Sequence, residues 1–261
     1  RVSIIGPDEG TQACGEYGFG RMSEPDTILK FIQKNNISDV LSSRKILITA
    51  GPTLEPIDPV RYISSFSSGK MGYAVADALA IAGASVCLIS GPTHLSPPIN
   101  VKLIKVNTAK EMQKAVMHVV TDHDIFISVA AVSDYSVAYT SNQKIKKNAK
   151  FLNINLELNP DILKTVTSLP SPPITIGFSA ETENVIENAI KKLQNKKADM
   201  IIANKVGYNI GFNSDENHLF ILKKNSKKII ELKTEKKIIL AKQLIPIFEN
   251  LCATCTSIKQ N

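Results

Sequence analysis

From Lys45 onward the chain alternates two hydrophobic patterns. Short, continuous apolar runs bounded by turn residues give way to longer segments whose apolar residues recur at helical spacing. KILITA (45–50), SVCLIS (85–90), VKLIKV (101–106), IFISVAAV (125–132), ITIGFSA (174–180) and ADMIIANKV (198–206) read as buried strands. MGYAVADALAIAGA (71–84), TAKEMQKAVMHVV (108–120), NPDILKTVTSL (159–169) and ETENVIENAIKKLQNKK (181–197) read as helices. Gly-Pro pairs at 51–52 and 91–92 stop the first two strands. Thr108, with Glu111 three residues later, predicts a capping box, and Pro160 is placed in the first turn of its helix, where its missing N–H costs nothing. The end of the chain differs. HLFILKK (218–224) and KKIIELK (227–233) flank Asn225-Ser226 as a β-hairpin, and an amphipathic helix follows over 235–252.

Strands alternating with helices of these lengths imply βαβ units and a parallel sheet covered on both faces. The expected fold is therefore α/β: a Rossmann-like, mostly parallel sheet flanked by helices, with a β-hairpin extension. Two segments fit poorly. Residues 133–151 are polar and lysine-rich without a clear period, as in a mobile functional flap or a disordered connection. Residues 1–43 carry the glycine-rich GTQACGEYGFGRM but no complete βαβ unit, and Arg1 leads straight into VSII. They read as the end of a domain that starts upstream, leaving 44–261 as the main domain.

Composition narrows the partners. The 261 residues are 43% hydrophobic and 21% charged, ordinary for a well-cored globular protein. No apolar run approaches the length of a membrane span, so no membrane partner is expected. The net charge of +7 raises the possibility of nucleic acid, but only four of the 31 basic residues are arginines: Arg1, Arg21, Arg44 and Arg61. Bidentate reading of bases and phosphates favours arginine, so compositional bias explains the charge and no nucleic acid is expected. Two local clusters, KIKKNAK (144–150) and KKLQNKK (191–197), point instead to a small anionic ligand. The four cysteines form no disulfide framework, and the lone C-A-T-C at 252–255 supplies half of a zinc site at most. His94, His118, His123 and His218 form no metal-spaced set. Reduced thiols and a cytoplasmic location are the expectation.

In open α/β sheets, ligands bind beyond the carboxyl ends of the strands. The loops there are 51–70, 91–98, 129–144, 178–182 and 203–214. The first ends in RYISSFSSGKMG (61–72), a small-residue run at a helix N-terminus, where unpaired N–H groups suit an anion. It is not a Walker A loop, because Ser64 stands where that pattern has its first glycine and Met71 where it has Ser or Thr. On pattern alone, a capped helix and a phosphate grip remain equal readings. Asp134, after the buried run VAAVS, suits a ribose hydroxyl, a magnesium ion or merely a helix cap. Lys144 belongs to the flap or to a solvated charge run. Phe178 stacks on a base or fills the core.

Taken together, GPTLEPIDPVRYISSFSSGKMG, AAVSDY, KIKK, NPDI, GFSAET, ADMIIANKV and GFNSDEN, in this order and spacing, resemble phosphopantothenate–cysteine ligase, the C-terminal half of the bacterial bifunctional decarboxylase/ligase of coenzyme A synthesis. The resemblance runs from about Arg44 to the end. It implies a ligase that joins 4′-phosphopantothenate and L-cysteine through an acyl-CMP formed from CTP, with magnesium and release of pyrophosphate. Matched motif to motif, Ser67, Gly69 and Gly72 would line the nucleotide phosphates. Ser128, Val129, Ala130 and Asp134 would border the nucleotide and the acyl group, and Lys144 would close over the reacting phosphate from the flap. Pro160, Asp161, Ile162, Leu163, Phe178, Lys192, Lys196 and Asn204 would complete the nucleotide site; the metal ligands are left unassigned. Family members are homodimers, with contact expected around 150–158 and 218–233.

GTQACGEYGFGRMSEP resembles the end of the flavin-dependent decarboxylase domain, in which Cys14 would be the proton donor. The FMN-binding body is not in this sequence, so Cys14 is expected to be inactive here. The family usually has Asn two residues before Ser-Ser-Gly-Lys, against the acyl-nucleotide. This chain has Ser65, which lacks the amide's reach and second donor. The competing readings are a non-catalytic Rossmann-like nucleotide-binding module and an NAD(P)-dependent oxidoreductase. The lack of G-x-G-x-x-G after the first strand of the α/β domain argues against the latter.

Overall fold

The apolar runs assemble into one sheet, and their lack of alternation follows from burial on both faces. The structure is a computed structural model that describes residues 4–12, 15–35, 41–42, 44–147, 150–207, 211 and 214–258, with backbone alone at 30, 33–35 and 254–258. In chain order the elements are β1 (Asp8–Thr11), β2 (Tyr17–Arg21), α1 (Pro25–Asn35), β3 (Lys45–Ala50), β4 (Glu55–Pro56), β5 (Tyr62–Ile63), α2 (Lys70–Ile81), β6 (Ser85–Ser90) and β7 (Val101–Lys105). There follow α3 (Ala109–Val119), β8 (Ile125–Ser128), β9 (Tyr135–Val137), β10 (Leu156–Leu158), α4 (Ile162–Thr167), β11 (Ile174–Glu181), α5 (Val185–Lys196), β12 (Met200–Lys205), β13 (Glu216–Lys223), β14 (Ile230–Lys236) and α6 (Lys237–Ile258).

The eight-stranded sheet has the order β14-β13-β12-β11-β8-β3-β6-β7. The strands from β12 to β7 run parallel, and the β13–β14 hairpin adds antiparallel to β12. From β3 the chain steps outward to β6 and β7, then returns to lay β8 on the other side of β3. This reversal is the topological switch point at which α/β sheets open a crevice. Along β3, Ile46 and Ile48 face the layer of α2 and α6, with Leu79, Leu244 and Phe248. Leu47 faces the other layer, with Met112, Val116, Phe126 and Val166. Each such side chain, once buried, contributes about 1.5–3 kcal/mol. Among the described residues no helix is long and apolar enough to cross a membrane.

Four local expectations are corrected. The helix at NPDILKTVTSL starts at Ile162, not at Pro160: extended Asp161 is its N-cap and accepts the Lys164 N–H at 3.0 Å. The strand expected over 125–132 ends at Ser128, because β11 pairs with β8 only that far and the chain beyond turns to follow residues 51–53. The helix expected from 181 starts at Val185, since β11 continues to Glu181 opposite Lys205 of β12. The connection over 133–151 is not without structure: β9 pairs antiparallel with β10 and forms an arm. The capping box is present in shifted form. Glu111 donates its N–H to Thr108 Oγ1 at 3.1 Å, while its carboxylate accepts from Asn107 N at 2.7 Å. The amino-terminal stretch forms the β1–β2 hairpin and α1.

Gly72 sets the approach of α2 to the sheet. A Cβ there would lie 2.6 Å from the Cβ of Ala50 and 3.3 Å from its Cα, so a side chain must push the helix off β3. Gly72→Ala is expected to lower stability by about 1–3 kcal/mol despite alanine's better helix propensity. Thermal and urea unfolding check this; an unchanged midpoint would mean that α2 lifts without penalty.

Candidate active site

The chains leaving β3 and β8 part at the switch point, and a short hydrogen-bonded seam holds them together. Ala131 N–H donates to Gly51 O at 2.9 Å, and Thr53 N–H to Ala131 O at 3.4 Å. The hydroxyl of Thr53 accepts from Ser133 N at 3.0 Å, and that of Thr49 from Ala130 N at 3.4 Å. Both threonines are buried, so the polar segment 129–134 lies fixed along the carboxyl edge of the sheet.

Opposite this seam stands the N-terminus of α2. Gly69 occupies the N-cap with φ 78°, left-handed backbone that suits glycine, and α2 has no side-chain cap among the described residues. Ser67 Oγ bonds back to Gly69 N at 3.3 Å, short of the first helical turn. The first turn of α2, Lys70 to Gly72, lines the crevice.

Seam, helix end and strand ends enclose a cavity of about 780 Å³. The structure brings nearly all of the expected site residues to its wall. Ser67, Gly69 and Gly72 line the α2 side, and Ser128, Val129, Ala130 and Asp134 the seam. Pro160, Asp161, Ile162 and Leu163 stand at the entry to α4, Phe178 on β11, Asn204 on β12, and Lys192 and Lys196 on α5. Two expected residues stand outside the wall. Lys144 is solvent-exposed, and Ser65 sits one step behind, its Oγ accepting from Ser67 N at 3.4 Å and donating to Ala131 O at 3.5 Å. Cys14 lies outside the described residues.

Sequence reasoning missed Lys70, Asn159, Asn217 and Lys237, which also line the cavity. Asn159 and Asn217 belong to NPDI and GFNSDEN, so the motifs contained the signal. Lys237 lies in the unremarkable run KTEKKII. Yet it is buried, and its ammonium donates to Gly211 O at 2.8 Å and Ser214 O at 2.7 Å, which holds these two residues beside the cavity. Lys70 pairs with Asp215 at 2.6 Å, tying that residue to α2.

The electrostatics suit a polyanion. Burial lowers the pKa of Lys192, with Glu181 opposing and the Lys196 charge adding to the effect. Its Nζ donates to Phe178 O and Ser179 Oγ, each at 3.3 Å. Lys196 is ion-paired with Asp161. Burial, then the charge of Lys70, also lowers the pKa of Lys237. Partly desolvated ammonium groups and helix N–H donors around one cavity would bind phosphate more strongly than solvated lysines do. Among the described residues no three His, Cys, Asp or Glu side chains gather as a metal cluster.

A sequence model of the DNA/pantothenate metabolism flavoprotein C-terminal domain matches residues 41–251. The chain is 47% identical over 250 residues to the Coenzyme A biosynthesis bifunctional protein CoaBC of Haemophilus influenzae, covering 94% of this chain and 61% of that protein. It thus spans about three-fifths of the length of the curated relatives it matches. Among solved structures, the C-terminal domain of a CoaBC superposes with a TM-score of 0.71 at 40% identity, covering 83% of this chain and all (100%) of that one. The DNA/pantothenate metabolism flavoprotein from Streptococcus pneumoniae superposes with a TM-score of 0.68 at 25% identity, covering 80% and 99%.

A bound phosphate would favour the charged form of Lys192 and so raise its lowered pKa. In the alkaline range the complex then takes up a proton, and affinity falls as pH rises. Titrating inorganic pyrophosphate calorimetrically from about pH 7 to about pH 10 should show that decline, with proton uptake growing toward the alkaline end. Lys192→Arg, charged throughout, should flatten the dependence; an equally steep profile in that variant would assign the proton elsewhere.

Proposed function

We propose that this chain, which belongs to the DNA/pantothenate metabolism flavoprotein C-terminal domain family, is a ligase that joins 4′-phosphopantothenate to L-cysteine for coenzyme A synthesis. The observation that carries the reading is that the N-terminal turn of α2 lines one cavity with Asp134, Lys192 and Lys196 at the switch point of the sheet. Residues 44–261 form the ligase domain, and residues 1–43 the end of a decarboxylase domain.

The reaction is an acyl-nucleotide ligation with CTP as the activating substrate. A carboxylate oxygen of 4′-phosphopantothenate attacks the α-phosphorus of CTP, the bond to the bridging oxygen breaks, and pyrophosphate leaves. The amine of cysteine then attacks the acyl carbon of the acyl-CMP; CMP leaves with the bonding pair, a proton is lost from nitrogen, and the amide remains. Negative charge builds on the phosphate oxygens in the first step. Donors fixed before the reaction stabilise such charge without reorganisation. The turn from Gly69 to Gly72, with Ser67, suits the polyphosphate. Lys192, Lys196, Phe178, Asn204 and the Pro160–Leu163 turn suit the rest of the nucleotide. Asp134 and Ala130 lie where the acyl group would meet it. Magnesium is ordinarily held by one or two carboxylates together with substrate phosphates, and Asp134 fits that part; the ion would neutralise phosphate charge. Lys144 would add a cation when its side chain reaches over the reacting phosphate.

A homodimer suits the arm: Tyr135, Leu156 and Leu158 on β9 and β10, with Phe151 and Leu152 beside them, expose apolar surface where contact is expected. A second copy of the chain would bury it.

Incubation with phosphopantothenate, CTP and magnesium should release pyrophosphate and accumulate acyl-CMP; adding cysteine should convert this to the amide and CMP. If neither pyrophosphate nor acyl-nucleotide forms, with ATP failing as well, the ligase reading is wrong. Ser65 concerns the intermediate. Through Ala131 it touches the seam beside Ala130, so Ser65→Asn should restore a donor and slow the escape of acyl-CMP several-fold, about 1 kcal/mol. Quenched-flow measurement of free and bound acyl-CMP tests this; the same partition in both forms would remove Ser65 from the site.

A further inference from the structure

We infer that Asp58 is a positioning residue, which anchors the lysine-rich segment at Ile145 and so fixes where Lys144 stands relative to the cavity. The inference rests on the ligase reading for the task of Lys144, but the anchor itself is independent of it.

Asp58 lies in the loop between β4 and β5, and its side chain is fully shielded, 0% exposed. Part of its bonding is local. It accepts from Val60 N at 2.8 Å and Arg61 N at 2.9 Å, which shapes the turn, and from the Arg61 guanidinium, with Nε at 3.1 Å and Nη2 closer. A further donor comes from far along the chain: Ile145 N–H reaches the same carboxylate at 3.1 Å. Arg61 Nη2 in turn donates to Ile145 O at 3.0 Å. One ion pair therefore holds both the N–H and the C=O of Ile145, the residue next to Lys144.

The grip is continuous around that point. Ser141 N–H donates to Ile57 O at 3.0 Å, and Thr140 Oγ1 to Pro56 O at 3.1 Å. Residues 140–145 have no strand or helix of their own. Their order comes from the β4–β5 loop, which continues through Ser64, pinned to Thr53 O at 2.8 Å, into the N-terminus of α2. The phosphate-binding turn and the segment carrying Lys144 thus share one foundation. The Arg61 guanidinium holds the Asp58 carboxyl well below the usual carboxylate range, so the anchor stays charged at every working pH. A carboxylate needed only to shape its own turn would not require Ile145. What Ile145 gains is a fixed position for its neighbour.

Asp58→Asn keeps the size but removes the charge and one acceptor oxygen. Hydrogen bonds to a charged acceptor are the stronger ones, so trypsin cleavage after Lys144, Lys146 and Lys147 of the full chain should speed up about tenfold or more. This readout needs no turnover. In the ligase assay kcat should fall about tenfold or more while KM for CTP changes less, and Asp58→Asn should add little to Lys144→Ala in the double variant. Ile145→Pro removes the donated N–H, fixes φ at 145 and leaves the Asp58–Arg61 turn intact; read after Lys146 and Lys147, since trypsin does not cut a Lys–Pro bond, it should reproduce both effects and serves if Asp58→Asn fails to fold. Unchanged cleavage in a folded variant, or losses that add fully to those of Lys144→Ala, would overturn the inference. Faster cleavage in a protein that makes no acyl-nucleotide would uphold the anchor and sink the ligase reading instead.

Discussion

The seam between the chains leaving β3 and β8 is the constraint on which the cavity depends. At a topological switch point the connections on either side of the sheet diverge, and the backbone between them loses its ladder partners. Buried N–H and C=O groups must still be paired. Here Gly51, Thr53, Ala130, Ala131 and Ser133 exchange the missing bonds. That pairing lets a polar segment lie at the edge of a core whose strands are otherwise apolar throughout, and it brings Asp134 to the wall of the cavity that the end of α2 also lines. Gly72, in near contact with Ala50, sets the other wall. A crevice with both walls fixed can present donors without rearranging them, which is the property that charge stabilisation in a reaction requires.

Around this frame the lysines divide into three kinds, although the sequence presents them alike. Lys192 and Lys196 stand one helical turn apart on α5 and line the cavity, held by carbonyl, hydroxyl and carboxylate. Lys237 is buried and donates to the carbonyls of Gly211 and Ser214. Lys144 is exposed on a segment whose backbone, not its side chain, is fixed. Desolvation distinguishes them: burial lowers the pKa of Lys192 and Lys237. An abundance of lysine is compositional; the position of each ammonium relative to the water boundary is what gives it chemistry.

Membership in the DNA/pantothenate metabolism flavoprotein C-terminal domain family agrees with this arrangement, since the fold of the solved relatives is this one over most of the chain. The proposed ligation uses the features in proportion to their rigidity. In that proposal the polyphosphate would meet the turn that opens α2, and the acyl group the seam. Lys144 would supply its cation from a segment without strand or helix over 140–145.

The sequence alone determined the order of strands and helices and the parallel character of the sheet, because unbroken apolar runs such as KILITA are stable only when both faces are covered. It also marked most of the residues that line the cavity. The turns at 67–72, 128–134 and 160–163 lie at the carboxyl ends of strands or the entries to helices, and the motifs that carry the family resemblance fall on them. It misjudged element ends at Pro160, Ser128 and Glu181, where pairing with neighbouring strands and a side-chain cap outweigh local periodicity. The β9–β10 arm and the burial of Lys237 were beyond it. So was the bond from Ile145 to Asp58, which joins residues 87 apart. A pairing between irregular segments leaves no period in either of them, and only the folded chain, by bringing the two backbones within hydrogen-bonding distance, decides that it forms.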